Sequence, residues 1–300
     1  MDSKLEMTKF LVTGSAGLVG SQIVKDLVEK DFEVYSCYNV EKPEFGMPIH
    51  LDILKKDKIE KILQNIKPDV VIHLAAITDV DLCERQKELA ILVNAKSTEI
   101  LAQESSKQDA YFVYMSTDYV FDGKQGLKNE NDMPNPLNFY GKSKLDGEIA
   151  LNNLTSPYTI VRTSTPFGIH LKKKSFPLWI KENLESKKET PVLIDQYTSP
   201  TFVPNLSKML IEVATKQITG TIHLAGSTRI SRYDFAKIIA EKLDLDKTLL
   251  KPTKMTEMKW DAQRPQDSSL DVSKAIAILD NKPQKIEHSL ELLINQIKST

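Results

Sequence analysis

A tyrosine and a lysine stand four residues apart in the stretch NFYGKSK, as Tyr140 and Lys144. Residues at positions i and i+4 lie on one face of a helix, so both side chains can reach the same pocket. A nearby ammonium group favours phenolate, lowers the pKa of the phenol and makes proton transfer feasible near neutral pH. The pair is therefore a candidate for the acid that protonates a carbonyl oxygen during a reduction, although the same spacing occurs in ordinary surface helices.

Two hydroxyl groups precede this pair, in the stretch MSTDYVF, at Ser116 and Thr117. The apolar run before them, AYFVYM, predicts a buried strand that ends at these residues. Negative charge grows on a carbonyl oxygen when hydride reaches its carbon, and a hydroxyl hydrogen-bonded to that oxygen stabilises the charge. This strand end could supply that hydroxyl while Tyr140 donates the proton.

A glycine motif, VTGSAGLVG, places Gly14, Gly17 and Gly20 between a predicted first strand and a predicted first helix. Glycine there permits a tight turn and close approach of a pyrophosphate, and the helix N-terminus supplies N–H donors. The spacing differs from the common G-x-G-x-x-G fingerprint, so glycines that merely serve the turn are the alternative. With Ser15 and Leu18 in the same turn, the motif predicts a dinucleotide site.

Residues after the next strands would hold the rest of the dinucleotide. A carboxylate at the end of the second strand binds the ribose of NAD, whereas a basic side chain accommodates the 2′-phosphate of NADP. Asn39 and Lys42 follow that strand and no acid stands squarely at its end, which favours NADP(H) over NAD(H). Asp52, Ala75 and Ala76 follow the third and fourth strands, where adenine and ribose would pass, although they could be ordinary strand ends.

The elements that must position these motifs alternate along the first half of the chain. Short β-branched runs alternate with amphipathic patterns, which is typical of parallel strands joined by crossover helices. The sequence predicts an α/β fold, a doubly wound Rossmann-type parallel sheet with a smaller C-terminal substrate-binding region. We expect residues 1–168 and 190–228 to form the dinucleotide-binding domain, and residues 169–189 and 229–300 to form the smaller, interleaved region. Three lysines at 172–174 predict a solvated loop, with anion binding as the alternative.

Composition limits the partners. Forty basic residues against forty-one acidic ones leave a formal net charge of −1, so neither nucleic acid nor an anionic membrane is an expected partner. Cys37 and Cys83 lack the count and spacing of a disulfide framework, and five histidines show no metal-ligand spacing, so no metal is expected. The N-terminal stretch MDSKLEMTK lacks the apolar core of an export signal. These features favour a cytoplasmic protein.

Taken in order, the glycine turn, the strand-end hydroxyls and the Y-x-x-x-K pair resemble the extended branch of the short-chain dehydrogenase/reductase superfamily. STDYVFDG followed by PLNFYGKSKLDGE is similar to the dTDP-4-dehydrorhamnose reductase family, and equally to its relative, the regulatory β subunit of methionine adenosyltransferase. DQYTSPTFVPNL at 195–206 and AQRPQDSSLDVSK at 262–274 are further matches. The resemblance extends over most of the chain.

This resemblance implies NAD(P)H-dependent reduction of a nucleotide-linked 4-keto sugar, with dTDP-4-dehydro-rhamnose as the expected substrate and dTDP-rhamnose as the product. It implies that Thr117 binds the carbonyl oxygen and that Tyr140 is the acid. Lys144 would lower the pKa of that tyrosine and hold the nicotinamide ribose. On the sugar side, the resemblance places Asp118 and Tyr119.

Arg264, in the RP motif, would bind the substrate diphosphate bidentately, or else form a structural ion pair. Two departures from the reductases leave the sugar open: Thr165 stands where a tryptophan is usual, and Asn205 replaces an aspartate. The alternatives are a reductase or epimerase of another nucleotide sugar, and a dinucleotide-binding regulatory subunit that docks on methionine adenosyltransferase. Extended reductases also commonly form homodimers.

Overall fold

The computed structural model describes residues 8–299. The stretch in which no export signal is expected includes residues 1–7, which lie outside the described residues. The outermost residues of the two expected regions also lie outside them. Seven strands of the described chain form one central sheet: β1 (Lys9–Thr13), β2 (Glu33–Tyr38), β3 (Met47–His50), β4 (Val70–His73), β5 (Tyr111–Thr117), β6 (Tyr158–Thr163) and β11 (Gly220–His223). Shorter strands lie outside it: β7 (Pro166–Phe167), β8 (Thr190–Leu193), β9 (Tyr197–Thr198), β10 (Thr201–Phe202), β12 (Ile230–Ser231) and β13 (Leu250–Thr253).

The strand order of the central sheet is β11-β6-β5-β4-β1-β2-β3, and all neighbouring strands are parallel. From β1 the chain first builds the sheet towards β3, then returns to β4 and builds it in the opposite direction. This reversal opens a crevice at the carboxyl ends of β1 and β4, where sheets of this kind bind their ligands. The predicted doubly wound parallel sheet is confirmed.

Helices connect these strands: α1 (Leu18–Val28), α2 (Lys56–Ile66), α3 (Val80–Arg85), α4 (Lys87–Ile91), α5 (Ser97–Ser106), α6 (Phe139–Ala150), α7 (Phe176–Glu185), α8 (Val203–Lys216), α9 (Arg232–Lys242), α10 (Ser273–Ile278) and α11 (Ile286–Ser299). A π-helical turn at Leu92–Lys96 separates α4 from α5. Such turns add a residue to the helical repeat and shift the side chains on it.

Apolar cores cover both faces of the sheet. Ile23 of α1 and Leu210 of α8 belong to one cluster, and Ile59 of α2 and Leu101 of α5 belong to the other. Because both faces are covered, the central strands contain continuous apolar runs; in β1, for example, Phe10, Leu11 and Val12 have no exposed surface.

A third core belongs to the smaller region. It joins α7, α9 and α11 to the pair formed by β8 and β13, through residues such as Ile180, Phe235 and Leu290. Residues 190–193, expected in the dinucleotide-binding domain, pair with β13 here and contribute Val192 to this core. We therefore propose the two interleaved regions with β8 assigned to the smaller one.

No helix within residues 8–299 is long and apolar enough to cross a membrane. The same residues contain no group of three or more histidine, cysteine, aspartate or glutamate side chains arranged to hold a metal ion. Cys37 and Cys83 are both buried free thiols.

Candidate active site

The glycine-rich turn lies in the crevice between β1 and β4. Gly14 has a φ of 68°, in the left-handed region that favours glycine. A Cβ at this position would lie 2.8 Å from the backbone nitrogen of Ala75, and a Cβ at Gly20 would overlap the carbonyl oxygen of Gly14. The first and third glycines of the motif are therefore required by the turn itself.

Helix α1 begins at Leu18, immediately after this turn. Gly17 is its N-cap residue and no side chain caps the helix, so the first N–H groups and the positive end of the helix dipole face the crevice. The buried Ser15 hydroxyl donates a hydrogen bond of 2.8 Å to the carbonyl of Cys37, which ties the turn to β2. An uncapped helix N-terminus behind a tight glycine turn fits the diphosphate of a dinucleotide.

The other predicted cofactor residues follow strands at the same edge of the sheet. Ala75 and Ala76 follow β4 and are partly exposed, and Asp52 lies just beyond β3. Asn39 and Lys42 are exposed after β2. The structure thus aligns all of them along the carboxyl edge, and their contacts with a cofactor remain predictions.

The predicted catalytic residues meet at this edge. Thr117 is the last residue of β5, and its hydroxyl lies within hydrogen-bonding reach of the Tyr140 phenol. Tyr140 lies in the first turn of α6, which is capped by the Asn138 side chain accepting a hydrogen bond of 2.8 Å from the Gly141 N–H. Tyr140 is partly exposed, whereas Lys144, one turn further along, is only 3% exposed. The side chains available for proton donation thus lie at the carboxyl edge of the sheet, two strands from the glycine turn.

The electrostatics of Tyr140 differ from expectation. Burial raises the pKa of its phenol, and the contact with Thr117 lowers that pKa, while Lys144 is not among the main contributors. The Lys144 ammonium instead lies over the Tyr114 ring, 4.2 Å from the ring centroid. In this structure the phenol therefore stays protonated at neutral pH, as a proton donor must be.

Lys144 has a strongly shifted pKa of its own. Burial lowers it from 10.5 to about 7, and the carboxylate of Glu148 opposes this shift. A buried lysine that loses its proton near neutral pH is a common feature of functional sites.

This buried lysine makes the stability of the protein depend on pH. Between the folded-state pKa of about 7 and the unfolded value of 10.5, the unfolded chain binds more protons, so stability rises with pH. We expect the unfolding free energy of the wild type, minus that of Lys144→Met, to rise by about 1 kcal/mol per pH unit across this window. Chemical denaturation at a series of pH values measures this difference, and a difference independent of pH contradicts the shifted pKa.

Asn94 is a site residue that the sequence did not single out. It lies in the π-helical turn, fully buried, and accepts a hydrogen bond of 2.8 Å from the Ile77 N–H. Its amide donates a bond of 3.0 Å to the Ser143 hydroxyl on α6. Asn94 thus joins the loop after β4 to the helix that carries Tyr140; the only signal in the sequence is one amide within the apolar run AILVNA.

The residues predicted on the sugar side lie next to the catalytic group. The Tyr119 ring packs edge-on against Tyr140, with 5.9 Å between the ring centroids. Asp118 is only 3% exposed and accepts hydrogen bonds from Thr117, at 3.0 Å, and from Ser164, at 2.7 Å. Its place beside a sugar stays a prediction; in this structure its carboxylate accepts the one hydroxyl hydrogen of Thr117.

Arg264 forms the ion pair that the sequence offered as its alternative role. Its guanidinium binds both carboxylate oxygens of Asp81, at 2.7 and 2.8 Å, and lies over the Trp260 ring. The pair lowers the pKa of Asp81 to about 2. The Arg264 guanidinium therefore already has a carboxylate partner. Its binding of a substrate diphosphate remains a prediction.

Arg232, at the start of α9, was missed by the sequence analysis. Its guanidinium lies 5.1 Å from the centroid of the Phe176 ring. Burial lowers the pKa of this guanidinium, and the nearby Tyr119 and Asp118 partly oppose that shift. Within residues 8–299 no carboxylate lies at ion-pair distance from it. Nothing in the local pattern SRYDF distinguishes this arginine from a solvated residue at the start of a helix.

The two departures from the reductase pattern also have structural contexts. Thr165 follows β6 with a φ of 42°, in the left-handed region. The Asn205 side chain accepts a hydrogen bond from the Gln284 N–H and donates one to the Lys282 carbonyl, both at 3.1 Å. Asn205 therefore fastens the segment that leads into α11.

The sheet, the glycine turn at its reversal point and the hydroxyls on its carboxyl edge place this chain among the Rossmann-type NAD(P)-dependent oxidoreductases. Comparison with family models narrows the class. The model of the RmlD substrate binding domain matches residues 8–299, and the chain belongs to that family.

Individual relatives agree with this assignment. A probable low-salt glycan biosynthesis reductase, Agl14, of Haloferax volcanii is 34% identical, over 94% of this chain and 96% of the relative. Methionine adenosyltransferase 2 subunit beta of Xenopus tropicalis is 30% identical, over 88% of this chain and 80% of the relative. The crystal structure of dTDP-4-dehydrorhamnose reductase from Bacillus anthracis in complex with NADP superimposes with a TM-score of 0.88 at 29% identity, covering 97% of this chain and 99% of that one. The resemblance drawn from the sequence motifs is confirmed.

Proposed function

We propose that this protein reduces the 4-keto group of a nucleotide-linked sugar with NAD(P)H, and that dTDP-4-dehydro-rhamnose is the substrate and dTDP-rhamnose the product. The observation that carries the proposal is the meeting of the Thr117 and Tyr140 hydroxyls at the carboxyl edge of the sheet. The NADP-bound reductase with the same fold supports the choice of cofactor, and the exposed Lys42 favours NADP over NAD.

The residues of this chain would act as follows. A bound reduced nicotinamide supplies hydride to the sugar carbonyl carbon. The Thr117 hydroxyl donates its one hydrogen to Asp118 in this structure, and it would redirect that hydrogen to the carbonyl oxygen when the sugar binds. Tyr140, whose phenol is protonated at neutral pH, would give its proton to the same oxygen. Lys144 would hold the nicotinamide ribose.

The substrate's anionic portion needs a cation that is free to bind it. Arg264 is paired with Asp81, whereas among the described residues Arg232 has no carboxylate at ion-pair distance, although Tyr119 and Asp118 are near enough to raise its pKa. A guanidinium can bind two phosphate oxygens at once. We therefore propose Arg232 as a ligand of the diphosphate or of another anionic group on the substrate.

Replacing Arg232 with methionine should raise the KM for the nucleotide sugar by roughly tenfold or more, because a charge-assisted hydrogen bond is lost. The affinity for NADPH should stay within about twofold. Lys237→Met is the matched control, since this lysine lies on the same helix and pairs with Asp234 at the surface. Steady-state kinetics with all three proteins measure the effect, and equal KM values for both variants would refute the assignment.

The function itself is tested by supplying the purified protein with dTDP-4-dehydro-rhamnose and either NADPH or NADH, and following oxidation of the nicotinamide. We expect rapid turnover with at least one cofactor. A corresponding 4-keto sugar on uridine diphosphate serves as a second substrate. Turnover only with the uridine compound would retain the reductase and correct the sugar nucleotide, and no turnover with either would contradict the proposal.

A second candidate function is regulation of methionine adenosyltransferase, favoured by the similarity to the subunit beta of that enzyme. In that role the dinucleotide site would remain and the chain would dock on the transferase. Mixing the purified proteins tests it: co-elution and changed transferase kinetics would support this role. For either function we propose a cytoplasmic location, and for the reductase a homodimer.

A further inference from the structure

The loop of residues 169–174 joins β7 to α7 and carries three consecutive lysines. We propose that this loop closes over the bound dinucleotide, with Lys173 binding its diphosphate and Lys172 binding the 2′-phosphate that distinguishes NADP from NAD. The proposal rests on the cofactor use proposed above and assigns to the lysines the anion-binding role that the sequence analysis left as the alternative.

An imidazole attaches the loop to the glycine-rich turn. The Nδ1 atom of His170 accepts hydrogen bonds from the backbone N–H groups of Lys172 and Lys173, at 3.1 and 3.0 Å. Since Nδ1 accepts, the proton is assigned to Nε2, which donates a bond of 3.1 Å to the carbonyl of Ala16. The first half of the loop is thus fixed against the turn that faces the dinucleotide site.

The Lys173 side chain reaches the start of α1. A Cβ added to Gly17, the N-cap of that helix, would lie 3.9 Å from the Lys173 ammonium nitrogen. Within residues 8–299 this ammonium has no carboxylate at ion-pair distance. A cation beside the positive end of a helix dipole is unfavourable by itself, and an anion bound by both removes the repulsion. A diphosphate at the glycine turn is such an anion.

Lys172 lies at the other end of the dinucleotide site. Its ammonium pairs with the carboxylate of Glu41 at 2.6 Å, beyond the end of β2, where the adenosine ribose is bound in folds of this kind. The two side chains are 66% and 47% exposed, so the ion pair is weak and easily exchanged. A 2′-phosphate would replace the Glu41 carboxylate as the partner of the Lys172 ammonium, whereas a 2′-hydroxyl would hydrogen-bond to that carboxylate.

Lys174 provides a matched control within the same loop. Its ammonium forms an ion pair with Glu182 on α7, in the smaller region, rather than with the glycine turn or the end of β2. It has the same charge and similar exposure, with 63% of its side chain accessible. Removing it changes the net charge by the same amount as removing Lys172 or Lys173.

The test is the affinity of the substrate-free protein for NADPH and NADH, measured by titrating the nucleotide fluorescence. Lys173→Met should weaken binding of both nucleotides by about tenfold, and Lys172→Met should weaken only NADPH, by about tenfold, because each loses a charge-assisted contact with phosphate. Lys174→Met should stay within about twofold of the wild type. All three side chains are exposed, so the fold is expected to persist in every variant.

Equal affinities for the three variants would overturn the assignment of the lysines while leaving the cofactor site in place. A wild type that binds neither nucleotide would overturn the proposed function as well. A loss of NADH and NADPH binding to the same degree in Lys172→Met would refute its role in selecting the 2′-phosphate.

Discussion

Tyr140→Phe is expected to lower turnover by roughly two to four orders of magnitude while leaving the affinity for NADPH nearly unchanged. The substitution removes one hydroxyl, which is the proton donor in the proposed reduction. The ring and its edge-on contact with Tyr119 remain, so the pocket keeps its shape. Steady-state kinetics with a saturating keto sugar, together with nucleotide titration, measure both parts of this result.

Tyr158→Phe is the matched control for this experiment. The Tyr158 hydroxyl donates a hydrogen bond of 3.1 Å to the Asn152 side chain at the surface, far along the sheet from the carboxyl edge. We expect normal turnover from this variant. If Tyr140→Phe retains the wild-type rate, Tyr140 is not the acid.

The second large effect is on stability, at the ion pair that fixes α6 to the sheet. Glu148 of α6 and Arg162 of β6 are each 4% exposed and form a bidentate pair, with hydrogen bonds of 2.9 and 2.6 Å. Ser116 of β5 donates a further hydrogen bond to Glu148. This carboxylate therefore holds the helix of Tyr140 and Lys144 against two strands.

Glu148→Gln should lower the free energy of unfolding by about 3–5 kcal/mol, because the Arg162 charge stays buried without its counter-charge. Glu185→Gln is the control: it removes an exposed pair with Lys181, spaced i to i+4, and should cost no more than about 0.5 kcal/mol. Chemical denaturation of both variants at pH 7 makes the comparison. Equal losses for the two variants would show that the buried pair does not stabilise the protein.

Local sequence patterns predicted the main fold because its elements have strong local signals. Continuous apolar runs marked β1, β4 and β5, since parallel strands are covered on both faces. The glycine turn could be identified because both of its outer glycines are needed. Gly14 has a positive φ, and a side chain at Gly20 would overlap the backbone of Gly14. The spacing of Tyr140 and Lys144 was likewise readable, as residues one helical turn apart lie on the same face of a helix.

Contacts between distant segments could not be read in this way. Arg264 and Asp81 are 183 positions apart, and neither local sequence names the other as a partner. Arg232 belongs to the smaller region, and only tertiary packing places it beside Tyr119. The π-helical turn that directs Asn94 inward has no composition that distinguishes it from an ordinary helix.

The pKa of Tyr140 shows the same limit in its electrostatics. The sequence predicted that Lys144 would lower this pKa, because the two residues share a helix face. In the folded chain burial is the larger influence, and the Lys144 side chain packs over Tyr114. Desolvation depends on everything packed around a group, which a short motif does not contain.

Transfer of isotope from the cofactor to the sugar tests the central claim most directly. The purified protein would be given dTDP-4-dehydro-rhamnose and NADPH that carries deuterium at the transferable position of nicotinamide C4, and the product would be examined by NMR. We predict dTDP-rhamnose with deuterium at C4 of the sugar, and a reaction rate that falls sharply in Tyr140→Phe. Recovery of unreduced keto sugar, from a protein that binds NADPH tightly, would contradict the assignment of this protein as a dTDP-4-dehydro-rhamnose reductase.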